Sequence, residues 1–305
     1  MRIGRIAVAI IVVLGLGLSG TALADKSADA SYKEGLAYKE QGKVDEAIAS
    51  MQAAVAANPK HGMAWASLGH LYKQKKDFAK AIDAYEHATS LITKDKVIWK
   101  NLGTAYANVD PPRLDDAERA LMTACKLDPK DGQVRGLLGT VKRKKNDYAG
   151  AIVQLEIAVK TKDADPEWWH SLGVAYRFAK REDDAIMAYQ KAIEGAPNEA
   201  RYHFDLGAAY RRKQDPDKAI PEYVKATELD PGFADAWFDL GFMYKENHEN
   251  DKAIDALNHY LAANKGKDAG GQKRAQDECA ALGAKCGDAK GTKGPTKKKP
   301  PRSKK

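Results

Sequence analysis

Only three cysteines occur in 305 residues, Cys125, Cys279 and Cys286, and none is spaced with histidine as a zinc site requires. The seven histidines (61, 70, 87, 170, 203, 248 and 259) are scattered along the chain, so no metal cluster is expected. There is no phosphate-binding glycine loop, no nucleophile elbow and no H-E-x-x-H, which removes the common catalytic frameworks. The acidic run Glu182-Asp183-Asp184 stands where a helix starts and is explained by the helix dipole without a metal. Runs of β-branched residues are rare after the first twenty positions, which argues against sheets. The body also lacks an excess of charge of either sign. From Lys285 onward, eight lysines and Arg302 stand against Asp288 alone, a net +8 that equals the charge of the whole chain. The basic balance therefore describes an appendage and does not mark the body as a nucleic-acid binder.

What is present begins with Arg2 and Arg5, an apolar run from Ile6 to about Gly20, and Ala22-Leu23-Ala24 before Asp25. A positive start, a short apolar middle and a small-x-small site predict a secretory signal over residues 1–24, hence an exported, periplasmic or cell-envelope protein. An uncleaved membrane anchor is the alternative, though the run falls short of the ~20 residues that cross a bilayer comfortably.

After that segment the sequence repeats. Gly35, Gly69, Gly103, Gly139, Gly173, Gly207 and Gly241 follow one another at intervals of 34, 34, 36, 34, 34 and 34 residues. Around them recurs W-x-x-L-G-x-x-Y, then A-x-x-x-[aromatic/L]-x-x-A, then P. Trp65, Leu68, Gly69, Tyr72, Ala81, Tyr85 and Ala88 show the pattern in full. Apolar spacings of three and four in each half predict two antiparallel helices per unit, and Pro59, Pro129, Pro197 and Pro231 stop the second of them. Helices near glycine and alanine approach closely, and the large rings fill the space beside them. Such a unit cannot bury its own apolar face and must stack on neighbours.

This pattern resembles the tetratricopeptide repeat (TPR) over residues 28–265. The resemblance implies an all-α, right-handed superhelical solenoid. Its seven units fall near 28–61, 62–95, 96–131, 132–165, 166–199, 200–233 and 234–267. A capping helix over 268–283 follows, with Ala275, Cys279 and Leu282 on its apolar side, and then a Lys/Pro-rich tail over 284–305. Two departures stand out. The third unit carries two additional residues at Asp110-Pro111-Pro112-Arg113. In the fourth, Arg135, Lys142 and Asp163 replace Trp, Tyr and Pro, which predicts a bulged loop or a softer joint between Asp110 and Asp163. Pro221, just inside a second helix, predicts a slight kink.

Function follows from the resemblance, which implies protein binding and calls for no cofactor. Family groove positions are the second, fifth, ninth, twelfth and thirteenth of each unit. At the twelfth stand Lys39, Lys73, Ala107, Arg143, Arg177, Arg211 and Lys245. The last three units add Phe178, Phe204, Arg212, Phe238 and Phe242. Cations beside aromatic faces suit an extended partner segment with acidic groups and apolar anchors; the simpler account is that cations late in a helix complement its dipole. The chaperone-tail clamp is not matched, since only Asn101 fits it, and the asparagine ladder of sugar-transferase arms is absent. Cys125 reads as a small buried residue. Cys279 and Cys286 would lie ~10.5 Å apart in one helix, too far to bond, but a break at Gly283 lets them meet; a disulfide and two free thiols both remain open. Lys297, Lys298 and Lys299 offer the tail weak contact with an anionic surface, and a polyanion- or nucleic-acid-binding role through the tail is the rival function.

Overall fold

The computed structural model describes residues 27–162 and 164–287; the predicted signal and the tail with Lys297, Lys298 and Lys299 lie outside the described residues. Those residues form fifteen α-helices and no strand. They are α1 (27–40), α2 (Val44–Ala57), α3 (Gly62–Gln74), α4 (Phe78–Leu91) and α5 (Lys96–Asn108). Next come α6 (Leu114–Leu127), α7 (Gly132–Lys144), α8 (Tyr148–Ala158), α9 (Pro166–Phe178) and α10 (Glu182–Gly195). The last are α11 (Ala200–Arg212), α12 (Pro216–Leu229), α13 (Ala234–Glu246), α14 (Asn250–Asn264) and α15 (Ala269–Ala281). The fold is an all-α helical repeat of the solenoid class. It divides at Lys162/Asp163 into two compact units, the first holding four hairpins and the second three hairpins and α15.

Local chemistry sets each hairpin. The fifteenth residue of most repeats sits in the left-handed region: Gly42 at φ 73°, then Lys76, Asn146, Lys180, Gln214 and His248 at 57–63°. That conformation reverses the chain, and the following amide returns to the first helix, as when Asp77 N–H donates to the Tyr72 carbonyl at 2.9 Å. Aspartates then start many helices by accepting free amides, among them Asp95, Asp131 and Asp165. In the third hairpin Asp110-Pro111-Pro112 makes the turn instead, and the return bond moves to Arg113 N–H and the Tyr106 carbonyl, 2.9 Å.

Packing inside a hairpin is governed by the eighth and twenty-fourth places. A Cβ on Gly173 would lie 2.6 Å from the Tyr189 ring, whose side chain is fully buried with Ala185 and Ala192. Glycine here brings the helix axes close enough for the ring to seal the gap.

The fourth repeat keeps the bond that its missing tryptophan would have made. Trp65, Trp99 and Trp237 each donate the indole N–H to the carbonyl six residues earlier, at 2.9–3.0 Å. Arg135 reaches the equivalent Pro129 carbonyl with Nε and Nη2 at 3.1 and 2.9 Å, and His203 Nε2 reaches Pro197 at 3.0 Å. Lys142, in the tyrosine place, is 17% exposed and pairs with Glu118 at 2.6 Å and Asp147 at 2.8 Å. Lys142 and Lys145 hold the Glu118 carboxyl below its ordinary range. Helix α8 ends after 11 residues, against 14 in most second helices, and the division between the two units follows it. Helix α12 runs unbroken through Pro221.

Helix α15 ends in a paired-bond stop: Gly283, at φ 80°, donates to Ala280, and Ala284 donates to Cys279. The reversal brings Cys286 to Cys279 with a Cα separation of 5.9 Å, and the two are disulfide-bonded. Cys125 is a buried free thiol, pushed up in pKa by burial.

Candidate functional site

In the second unit the first helices of the hairpins are α9, α11 and α13. The cations at their twelfth places do not stand alone. Arg177 lies 3.7 Å from Asp205, Arg211 donates to Asp239 at 2.8 Å, and Lys245 pairs with Glu278 of α15. The first two links run from the twelfth place of one repeat to the sixth of the next, 28 residues on. Arg212 reaches Glu182 at 3.4 Å. The pattern is a set of rungs between successive repeats, made by cations that also lie in the last turns of their helices, where the dipole favours them.

The phenylalanines divide three ways. Phe204 packs its ring on Phe233 and Tyr223, at centroid distances of 4.8 and 5.8 Å. Phe238 and Phe242 pack against each other at a tilt, 4.7 Å between centroids, and lie beneath Arg274 of α15, at 5.2 and 5.3 Å. The terminal helix thus covers the end of this face. Phe178 stays 51% exposed, with the Arg177 guanidinium 5.1 Å from its ring.

Beneath the rungs lies a charged cluster that centres on buried His170. Its Nε2 is 2.7 Å from Asp205, its ring stacks on Tyr202 at 4.6 Å, and Glu167 is 3.9 Å from Nδ1. Burial alone would raise the Glu167 carboxyl; the His170 ring, Arg201 and the Tyr202 hydroxyl outweigh it and bring the pKa to about 2. Burial also dominates at Asp239 and raises it, with Arg211 and Tyr223 opposing. These groups tie α9 to α11, and α11 and α12 to α13.

The first unit differs. Its groove positions carry Lys39, His70, Lys73 and Lys100, and Arg143, which is half-buried and engaged. Lys73 donates to Asn101 at 2.7 Å and Lys100 to Gln133 at 3.0 Å, both neutral acceptors. Burial lowers the His70 pKa, and Lys39 and Lys73 lower it further; burial and then Lys100 lower that of Lys73. Met63 and Val97, at second places on the same helix faces, are each 48% exposed.

A cavity of about 260 Å³ opens in the third repeat, lined by Trp99, Tyr106, Asp116, Arg119 and Thr123 among others. In the second and seventh repeats the corresponding indole is covered: His87 stacks on Trp65 and His259 on Trp237, both at 4.3 Å. Thr123 holds the place of those imidazoles. Among the described residues no three acids, histidines or cysteines are grouped to hold a metal, and no helix is long and apolar enough to cross a membrane.

Sequence reasoning placed the cations and rings on the correct helices but missed their partners. The signal was available in Asn101, Asp205 and Asp239, the sixth-place residues that oppose a twelfth-place cation. Lys100 and His70 stand at fifth and ninth places, outside the twelfth column of cations.

Comparison with known proteins gives four family matches. The Cilia and flagella-associated protein 70 C-terminal domain matches residues 14–167, and tetratricopeptide-repeat families match 137–200, 200–233 and 222–255. The Peroxisomal targeting signal receptor of Saccharomyces cerevisiae is 25% identical over 209 residues, covering 55% of this chain and 34% of the relative. This chain therefore spans about a third of that relative's length. Among solved structures, the Cut9-Hcn1 hetero-tetramer of the APC/C aligns at TM-score 0.56 and 25% identity, over 75% of this chain and 45% of that one. YrrB, described as a TPR protein with an unusual peptide-binding site, aligns at TM-score 0.55 and 22% identity, over 64% and 99%. None of these matches indicates a catalytic family.

Proposed function

The chain belongs to the tetratricopeptide-repeat family, and from that premise we propose that it is a scaffold that docks an extended segment of a partner protein along its first helices. One observation carries the reading in each unit taken by itself: Met63 and Val97 in the first and Phe178 in the second, all about half exposed, occupy second or thirteenth places, where the family's groove positions lie and where the stack does not bury them. The targeting-signal receptor among the relatives supports a peptide as ligand. We further propose an exported protein of a bacterial periplasm or envelope. The Arg2/Arg5 leader pattern supports export, as does the Cys279–Cys286 bond, which an oxidising compartment preserves.

The test is selection of displayed random peptides on the purified protein, followed by hydrogen exchange on the best binder. Protection on the first helices, and weaker binding by Phe178→Glu or Val97→Glu, is the expected result. Binders that protect only second helices, and ignore both substitutions, would refute groove docking.

A further inference from the structure

We propose that the first unit carries a docking site for an acidic peptide, with Lys39, His70, Lys73 and Lys100 as its cationic floor and Met63 and Val97 as apolar edges. This rests on the groove-docking reading above. Positive charge is left over in the first unit. In the second unit the groove cations are paired with acids: Arg177 with Asp205, Arg211 with Asp239, Lys245 with Glu278. In the first unit, among the described residues, Lys39, Lys73 and Lys100 have no carboxylate at ion-pair distance, and the acceptors they do meet are the amides of Asn101 and Gln133.

Helix dipoles do not account for the cluster. Lys73 lies in the last turn of α3, where a cation is favoured, but Lys100 and His70 stand well inside their helices. These positive groups are close enough to disfavour one another's charge, as His70 and Lys73 show. A bound carboxylate would relieve that repulsion and gain charge-assisted hydrogen bonds at once.

The apolar edges select the occupant. Val97 and Lys100 are three residues apart on α5, and Met63 and His70 seven apart on α3, so each helix presents an apolar group and a positive one along a single face. A compact phosphate would leave Met63 and Val97 uncovered. A peptide with carboxylates spaced between aliphatic side chains covers both.

The experiment uses the full chain and an end-amidated peptide of alternating glutamate and leucine, titrated calorimetrically beside its glutamine twin. The glutamate peptide should bind at least about tenfold tighter and lose affinity with salt. Lys73→Gln plus Lys100→Gln should weaken it by about tenfold or more, whereas Lys180→Gln plus Lys191→Gln, an equal loss of charge elsewhere, should not. The imidazole titration of His70, followed by NMR, should move upward in the complex. Equal binding of the twin, indifference to the Lys73/Lys100 change, or a tighter grip on inorganic phosphate or an oligonucleotide would overturn the proposal. Protection of α9, α11 and α13 in place of α1, α3 and α5 would overturn it while groove docking stands. A bound peptide that protects no first helix would remove both.

Discussion

Replacing Arg211 by alanine separates a rung from a free groove cation. Arg211 is 41% exposed, but the Asp239 side chain that it meets at 2.8 Å is only 16% exposed, and the remaining donor to that carboxylate is the Tyr223 hydroxyl at 3.3 Å. Truncating one partner of a fully buried pair costs about 3–5 kcal/mol, and of an exposed pair at most about 1. The intermediate burial here sets the expected cost at about 2 kcal/mol near neutrality. The pH dependence has a definite sign. Asp239 titrates above its ordinary value in the folded state, so the native protein binds more protons than the unfolded chain between the two values, and stability falls as pH rises through that window. Removing Arg211 takes away an opposing cation, lifts the folded value further and widens the window. The gap between wild type and variant in urea unfolding, followed by circular dichroism, should therefore be largest near neutrality and shrink as pH falls toward 4. Asp239→Asn supplies the control, because in that background Arg211→Ala should cost well under 1 kcal/mol. An equal cost in both backgrounds, or a gap that does not vary with pH, would refute the rung.

Lys180→Gly, in the left-handed turn at φ 60°, should stabilise the second unit by about 1 kcal/mol in thermal unfolding, since glycine avoids the Cβ clash there. Gly173→Ala should destabilise by about 1 kcal/mol, because overpacking against Tyr189 at 2.6 Å outweighs the gain in helix propensity; a rise in melting temperature would contradict the close approach. Thr123→His should fill the cavity beside Trp99 and add about 0.5–1.5 kcal/mol, read as a higher urea midpoint and altered indole fluorescence. Reducing Cys279–Cys286 should cost up to about 2–3 kcal/mol of local stability and speed amide exchange in α15 while leaving α9 and α11 unchanged.

The helical stack was legible in the chain because one requirement recurs at a fixed interval. A glycine such as Gly173 opposite a ring such as Tyr189 leaves a mark that composition and spacing both carry. The rungs were harder to see because each lies between repeats, and the pattern within one repeat does not contain it. Arg211 reads as a loose cation until Asp239, 28 residues on, is set beside it. Phe238 and Phe242 misled for a similar reason: Arg274 covers them from α15, a segment outside the repeat. In the fourth unit, letters that depart from the pattern concealed bonds that do not. Of the groove, the sequence revealed which side chains stand on the first helices, while burial and charge balance depend on contacts between repeats that the pattern within one repeat does not contain.

The bond from the fourth place to the carbonyl six residues back is closed by an indole in three repeats, a guanidinium in one and an imidazole in another. What is held fixed there is a donor at a given reach, and the ring is one means of supplying it. Drift at this place should then be filtered by hydrogen-bonding capacity more than by size or hydrophobicity. Long amides or lysine would pass, whereas leucine or phenylalanine, though nearer to tryptophan in greasiness, would leave the loop carbonyl unanswered.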